Sequence, residues 1–108
     1  MSSILKLEIT KIKEKYPNKI PILVYKDKNS KNTPDIDKNK FLVPNDMIFG
    51  KFIYVIRKRL SLKQSEAIFL YINNVIPPTG ESLNMLYNKY KNKNEFLEII
   101  YTTENTFG

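Results

Sequence analysis

The sequence predicts a single α+β domain, and three observations lead to this fold class. Its 108 residues fit one compact core and leave no room for a second. Apolar residues recur with helical spacing in three segments, whereas four other segments are the alternating or continuous apolar runs typical of strands. Prolines and polar runs separate these segments. We therefore expect one domain over 1–108, with an N-terminal helix over 1–16, a core over 17–103 and a flexible C-terminal tail over 104–108.

The first helix and the first two strands are predicted from spacing and from proline. An amphipathic helix that ends before Pro17 is indicated by four apolar positions with lysines between them: Leu5, Ile9, Ile12 and Tyr16. A strand follows over Ile20–Tyr25, with Pro21 near its start, where a missing N–H is tolerated. The polar stretch 27–39 is expected to be a mobile connection to a second strand, Lys40–Pro44.

The second half of the sequence predicts two helices and two strands. Asn45 is expected to cap a central helix and Asp46 to face its positive end. Five apolar residues repeat with helical period in it: Phe49, Phe52, Ile53, Ile56 and Leu60. Ala67–Ile72 is predicted as a third strand, and Ser82 as the cap of a short helix whose inward face is Leu83, Leu86, Tyr87 and Tyr90. The almost wholly apolar segment Phe96–Thr102 is predicted to lie centrally in the sheet.

Composition excludes several classes of function. The absence of Cys and His excludes disulfides, Cys/His zinc sites and the thiol or Ser–His nucleophiles of many hydrolases. Three scattered glycines are too few for a phosphate-binding loop. We therefore expect no metal site and no cofactor. Because no apolar run approaches the length of a membrane-spanning helix, we also expect a cytoplasmic protein.

The positive charge is unevenly distributed. The net charge is +7, but residues 1–63 hold 15 basic and 6 acidic side chains, whereas residues 64–108 hold 3 and 5. A basic surface suits nucleic acid, an anionic membrane or acidic protein segments. The segment Lys89-Tyr90-Lys91 with Tyr87 resembles a basic-aromatic surface that binds nucleic acid. A solvated helix end explains the same residues, and no nucleic-acid-binding motif accompanies them. We expect no nucleic-acid partner and keep that function as an alternative.

Four segments, in order, resemble the GABARAP-type members of the autophagy-related protein 8 family: Lys15–Pro21, Lys40–Pro44, Ile56–Arg59 and Tyr71–Pro78. Leu86-Tyr87 and a terminal Phe107-Gly108 extend the similarity to about residues 8–108. The resemblance implies a ubiquitin-like β-grasp fold, that is, a four-stranded mixed sheet with a central helix. It also implies a shortened N-terminal helical extension, because the family usually has two N-terminal helices and the segment before Glu8 is too short for both.

The resemblance further implies a modifier that is acted upon and is not itself an enzyme. In the family, the C-terminal glycine, here Gly108, is adenylated and passed as a thioester between cysteines of an activating and a conjugating enzyme. It is then linked to phosphatidylethanolamine at autophagosome or related membranes, and a cysteine protease removes it. Attachment to a protein lysine, or peptide docking without any conjugation, remain alternatives. We expect the protein to be a monomer.

The family also binds receptors and adaptors that carry an aromatic-x-x-aliphatic motif. Strand Lys40–Pro44 would be a sheet edge that accepts the motif as an added strand, with alternate ligand side chains entering two pockets. The implied aromatic pocket is Glu8, Ile12, Lys19, Pro21, Leu23, Lys40, Leu42 and Phe96. The implied aliphatic pocket is Phe41, Val43, Pro44, Met47, Phe52, Val55 and Arg59. Cations that would face acidic residues of the ligand are Lys19, Lys38, Lys40 and Arg59.

Overall fold

The computed structural model describes the backbone of residues 2–104 and the side chains of residues 8–104, and within that range three helices and four strands follow the predicted order. They are α1 (Ser2–Lys15), β1 (Lys19–Lys26), β2 (Lys40–Pro44), α2 (Phe49–Arg59), β3 (Phe69–Tyr71), α3 (Leu83–Tyr90) and β4 (Leu97–Thr102). The side chain of Leu5 and the tail residues Phe107 and Gly108 lie outside the described residues. No described helix has the length and apolarity needed to cross a membrane.

The four strands form one mixed sheet in the order β2-β1-β4-β3. β1 and β2 are an antiparallel hairpin, β4 runs parallel to β1, and β3 pairs antiparallel with β4. The last strand therefore lies between two others, as its apolar sequence predicts, and four of its six residues are buried. This arrangement confirms the predicted α+β fold.

The two faces of the sheet bury different sets of side chains. Alternation along β1 directs Ile20, Ile22 and Val24 into the main core, where they pack with residues of α2 and α3. The opposite face of β1 carries Leu23, which forms a small separate cluster with Ile9 of α1 and Phe96. Both faces of β1 are therefore covered, which explains its run of five consecutive buried residues.

The start of α2 corrects the predicted cap. Ile48, and not Asn45, precedes the first helical residue, and its side chain makes no capping hydrogen bond. The first helical N–H groups donate instead to backbone carbonyls of the segment before α3: Phe49 to Glu81 and Gly50 to Thr79, both at 2.8 Å. Chain packing therefore satisfies the groups that a capping side chain usually satisfies.

The prediction for β3 was wrong in length, whereas the prediction for the start of α3 was correct. β3 is three residues long, shorter than the predicted Ala67–Ile72. At its C-terminal end, Ile72 leaves the ladder and pairs with Val75 across a tight turn. The cap of α3 is confirmed, since the Ser82 hydroxyl accepts a hydrogen bond from the Met85 N–H at 3.1 Å.

The connection between β1 and β2 is anchored, whereas the sequence predicted a mobile segment. Thr33 is 5% exposed, and its hydroxyl oxygen lies 2.9 Å from that of Thr103. The Tyr101 hydroxyl donates to the Pro34 carbonyl and accepts from the Ile36 N–H, each at 2.9 Å. Polar residues that suggest a solvated loop thus find their partners at the end of β4.

Candidate functional site

β2 forms one edge of the sheet, and β1 is the strand paired with it in the described part of the chain. The Val24 N–H donates to the Asn39 carbonyl at 2.8 Å, and hydrogen-bonded pairs alternate along an antiparallel ladder. Phe41 and Val43 therefore direct their backbone groups toward β1. Lys40 and Leu42 direct theirs outward, where another strand could pair with them. The predicted sheet edge is present.

One side of this edge faces α1 and brings most of the predicted aromatic-pocket residues together. Pro21 lies opposite Leu42 and Leu23 opposite Lys40, so their side chains share a face. We call this the α1-side surface; its predicted members are Glu8, Ile12, Lys19, Pro21, Leu23, Lys40, Leu42 and Phe96. Lys19 is exposed at its margin, with Nζ 5.9 Å from the centre of the Tyr16 ring.

An ion pair crosses the α1-side surface. Lys40 Nζ lies 3.3 Å from Glu8 Oε1, and the two side chains are 51% and 37% exposed. Such an exposed pair contributes little to folding, about 0.2–1 kcal/mol. A carboxylate arriving on a ligand would compete with Glu8 for the same ammonium group.

The other side of β2 faces α2 and holds most of the predicted aliphatic-pocket residues. Phe41 packs edge-to-face on Phe52, with ring centres 5.6 Å apart. We call this the α2-side surface; it comprises Phe41, Val43, Met47, Phe52, Val55 and Arg59. Pro44 was predicted with this group, but by strand alternation it follows Lys40 and Leu42 on the opposite face, exposed at the end of β2.

Two cations lie close to the Phe41 ring. Lys38 Nζ is 5.2 Å and the Arg59 guanidinium carbon 5.8 Å from its centre. Arg59 Nε is also 3.3 Å from Asp37 Oδ1. The sequence did not indicate Asp37 as part of this site, because a pair between a connecting segment and a distant helix end leaves no local pattern.

The predicted residues differ in how much surface they offer a ligand. Phe52 and Phe96 are 0% and 1% exposed, so they support the two surfaces from below. Leu42 and Val55 are partly exposed, as is Met47. A ligand would therefore meet the strand and its cations first, and would reach Phe52 or Phe96 only after side chains move.

Glu104 was predicted to begin a flexible tail, but it is held by the connection between β1 and β2. Its Oε2 accepts hydrogen bonds from two consecutive backbone N–H groups, those of Lys31 at 2.5 Å and Asn32 at 2.8 Å. These bonds, with Asn32 the larger cause, hold the pKa of the Glu104 carboxyl below its ordinary value of 4.5. Gly108, the predicted conjugation residue, lies outside the described residues.

A second polar contact lies on the sheet beside this connection. The Tyr71 hydroxyl donates to the Asp27 carboxylate, and burial followed by this bond raises the pKa of Tyr71 to about 12. The same bond lowers the pKa of Asp27. Among residues 8–104, no three His, Cys, Asp or Glu side chains come together as metal ligands.

Comparisons with curated sequences identify relatives of the chain. A family model described as "Autophagy protein Atg8 ubiquitin like" matches residues 5–108. Autophagy-related protein 8e of Arabidopsis thaliana is 50% identical over 103 residues, which are 95% of this chain and 84% of the relative. Autophagy-related protein 8 of Pichia angusta is 44% identical over 103 residues, 95% of this chain and 82% of the relative.

Solved structures agree with the sequence relatives. Trypanosoma brucei ATG8 has a TM-score of 0.90 at 35% identity, covering 100% of this chain and 92% of that one. Plasmodium falciparum Atg8, solved in complex with a Plasmodium falciparum Atg3 peptide, has a TM-score of 0.88 at 32% identity and covers 97% of this chain and 92% of that one. With the family match, these similarities confirm the resemblance: the chain belongs to the Atg8 family of ubiquitin-like autophagy proteins.

Proposed function

We propose that this chain is a lipid-conjugated modifier of autophagy whose Gly108 becomes linked to phosphatidylethanolamine. The observation that carries the proposal is the family match, which extends to residue 108 and includes the terminal Phe107-Gly108. In the final step, the lipid amine attacks the carbonyl of a Gly108 thioester. An amide forms, and the thiol of the conjugating enzyme leaves. Glycine suits this step because it has no Cβ to obstruct a narrow active site.

The chain supplies the group that reacts, and its partners supply the catalysis. It has no Cys with which to form a thioester of its own. Its partners are an activating enzyme, a conjugating enzyme and a deconjugating cysteine protease. The Plasmodium falciparum relative bound to an Atg3 peptide supports a corresponding contact for this chain. The protein is cytoplasmic before conjugation and lies on autophagosome membranes afterwards.

The second activity is docking of receptors and adaptors with an aromatic-x-x-aliphatic motif on β2. The outward backbone groups of Lys40 and Leu42 support pairing with an extended ligand strand. Side chains three positions apart on a strand point to opposite faces. The aromatic anchor would therefore enter the α1-side surface and the aliphatic anchor the α2-side surface, which agrees with the division of the predicted residues between the two faces.

Charge supports an acidic ligand at this edge. Lys40 stands on the α1 side of β2, and Lys38 and Arg59 stand over Phe41 on the α2 side. Acidic residues before or within the motif would meet these cations, which raises the rate of encounter and sets orientation more than it adds affinity.

A reconstituted reaction tests the conjugation proposal. Purified protein is incubated with ATP, family activating and conjugating enzymes, and liposomes that contain phosphatidylethanolamine. We expect a lipidated product of altered gel mobility, and none from a variant that lacks Gly108. An enzyme pair proven on another member that leaves this protein unmodified would count against lipidation.

The same variant separates the alternatives. Without Gly108, peptide docking should be retained while membrane attachment is lost. A protein lysine is the alternative acceptor for Gly108. A covalent protein adduct without a lipid adduct would favour attachment to lysine. Retained docking with no adduct of either kind would favour an unconjugated docking protein.

A further inference from the structure

The end of β4 is fastened to the connection between β1 and β2. Thr102 Oγ1 lies 2.6 Å from Ser30 Oγ, and the Thr103 N–H donates to Thr33 Oγ1 at 3.0 Å. The Glu104 N–H in turn donates to Thr102 Oγ1 at 3.1 Å. Thr102, Thr103 and Glu104 are therefore all held by hydrogen bonds, although β4 itself ends at Thr102.

Glu104 is the last of these fastened residues. One of its carboxylate oxygens accepts from both the Lys31 and the Asn32 backbone N–H groups. Charged acceptors make the stronger hydrogen bonds, and two convergent amides restrict the position of the carboxylate. The Lys31 charge also favours the ionised carboxylate, whereas Asp27 opposes it.

The position of Glu104 in the chain gives this contact a consequence. Gly108 follows four residues later. A fully extended segment spans at most about 3.5 Å per residue, so Gly108 can reach about 14 Å from Glu104. Without the Glu104 contact, Thr103 would be the last residue fastened to the connection, and the limit would grow to about 18 Å.

We propose that Glu104 is a positioning residue for conjugation: its capture by the Lys31 and Asn32 amides fixes the point from which the reacting glycine is delivered to a partner enzyme. This inference rests on the proposed function. The partner binds the folded body, and the tail acts as a tether between that body and the enzyme's cysteine. Effective concentration falls roughly as the −3/2 power of tether length. Lengthening the tether from four residues to five should therefore slow transfer about 1.4-fold at saturating enzyme.

The first measurement asks whether the contact exists in solution, independently of any enzyme. Amide hydrogen exchange at Lys31 and Asn32 should accelerate about tenfold in Glu104→Ala, as expected when a hydrogen bond to a charged acceptor is lost. Glu66→Ala is the matched control, because Glu66 Oε1 accepts from the Lys63 N–H at 2.8 Å, far from the tail in sequence. That control should accelerate exchange at Lys63 and leave Lys31 and Asn32 unchanged.

The second measurement asks whether the contact positions the glycine. Single-turnover transfer of Gly108 to the conjugating enzyme is followed at saturating enzyme, together with the affinity of that enzyme for the folded body. Glu104→Ala should lower the transfer rate about 1.4-fold and leave the affinity unchanged, whereas Glu66→Ala should change neither. Glu104→Gln, which keeps an acceptor oxygen at the same reach, should recover most of the lost rate.

A change on the loop side completes the test. Asn32→Pro removes one donor N–H, so combining it with Glu104→Ala should slow transfer no further than Glu104→Ala alone. Unchanged exchange at Lys31 and Asn32 in Glu104→Ala would show that the contact does not form. Accelerated exchange with an unchanged transfer rate would show that it forms but does not position the glycine. If the wild-type protein is never conjugated, the proposed function itself is wrong. The exchange measurement does not depend on conjugation, so it still tests whether the Glu104 contact forms.

Discussion

Reversing the charge of Lys40 is the most informative perturbation of the β2 edge. Lys40 has its backbone at the open edge and its ammonium 3.3 Å from Glu8. In Lys40→Glu, a ligand carboxylate that would have met a cation meets an anion, with Glu8 beside it. We therefore expect weaker binding of peptides with an acidic flank and little effect on peptides with a neutral flank.

The magnitude follows from charge and screening. Two unit charges 4 Å apart in a water-like dielectric interact by about 1 kcal/mol, so reversal changes one contact by about 2 kcal/mol. With a Debye length of about 8 Å at physiological salt, roughly 1.2 kcal/mol of this survives. Affinity should therefore fall about eightfold. Folding should change by no more than about 1 kcal/mol, because the Lys40–Glu8 pair is exposed.

Fluorescence anisotropy with two peptides that share an aromatic-x-x-aliphatic motif and differ in flanking charge measures the effect. Lys58→Glu is the matched control, because it reverses an exposed lysine on α2 whose Nζ lies 5.3 Å from the Tyr54 ring. The eightfold loss should shrink as salt is raised. Equal affinity of wild type and Lys40→Glu for the acidic peptide, in a folded variant, would refute the assignment of this edge as the ligand strand.

Two further predictions concern the core and the tail. Phe52→Ala should lower the free energy of unfolding, measured by urea titration, by about 3–5 kcal/mol, because it removes a fully buried ring that packs on Phe41. Val55 is only half-buried, so Val55→Ala should lower the free energy of unfolding clearly less. Equal losses in the two variants would contradict this packing. The lowered pKa of Glu104 means that its contribution is complete above the ordinary value of 4.5 and is lost as pH falls through the lower folded value. The difference in Tm between wild type and Glu104→Gln should therefore be largest near neutral pH and vanish in strong acid, and a difference independent of pH would contradict the carboxylate's role.

The local sequence pattern predicted correctly those features that a single strand determines. The bounds of β2 were predicted correctly because Pro44 ends an apolar run that follows a polar segment. The central position of β4 followed from its continuous apolar composition, since only a strand with neighbours on both sides is buried in this way. The opposite faces of Phe41 and Leu42 followed from strand alternation alone.

Local pattern failed where partners are distant in sequence. Asn45 has the chemistry of a helix cap, but α2 begins after Ile48 because carbonyls of Thr79 and Glu81 satisfy its first N–H groups. The polar composition of residues 27–39 predicts a mobile connection, because the sequence does not show that the end of β4 lies beside it. Glu104 was assigned to a free tail for the same reason, since its partners Lys31 and Asn32 are distant in sequence. The resemblance supplied the composition of the two surfaces, and alternation then separated Pro44 from the rest of its group.

Mass spectrometry of the C-terminus tests the central claim most directly. Trypsin cleaves after Lys93, and no Lys or Arg follows, so one peptide of residues 94–108 carries the terminal carboxyl group. In protein isolated from the membranes of cells that express it, we expect this peptide to carry phosphatidylethanolamine as an amide on Gly108. An unmodified Gly108 on all membrane-associated protein, or an amide to a protein lysine in place of the lipid, would contradict the account.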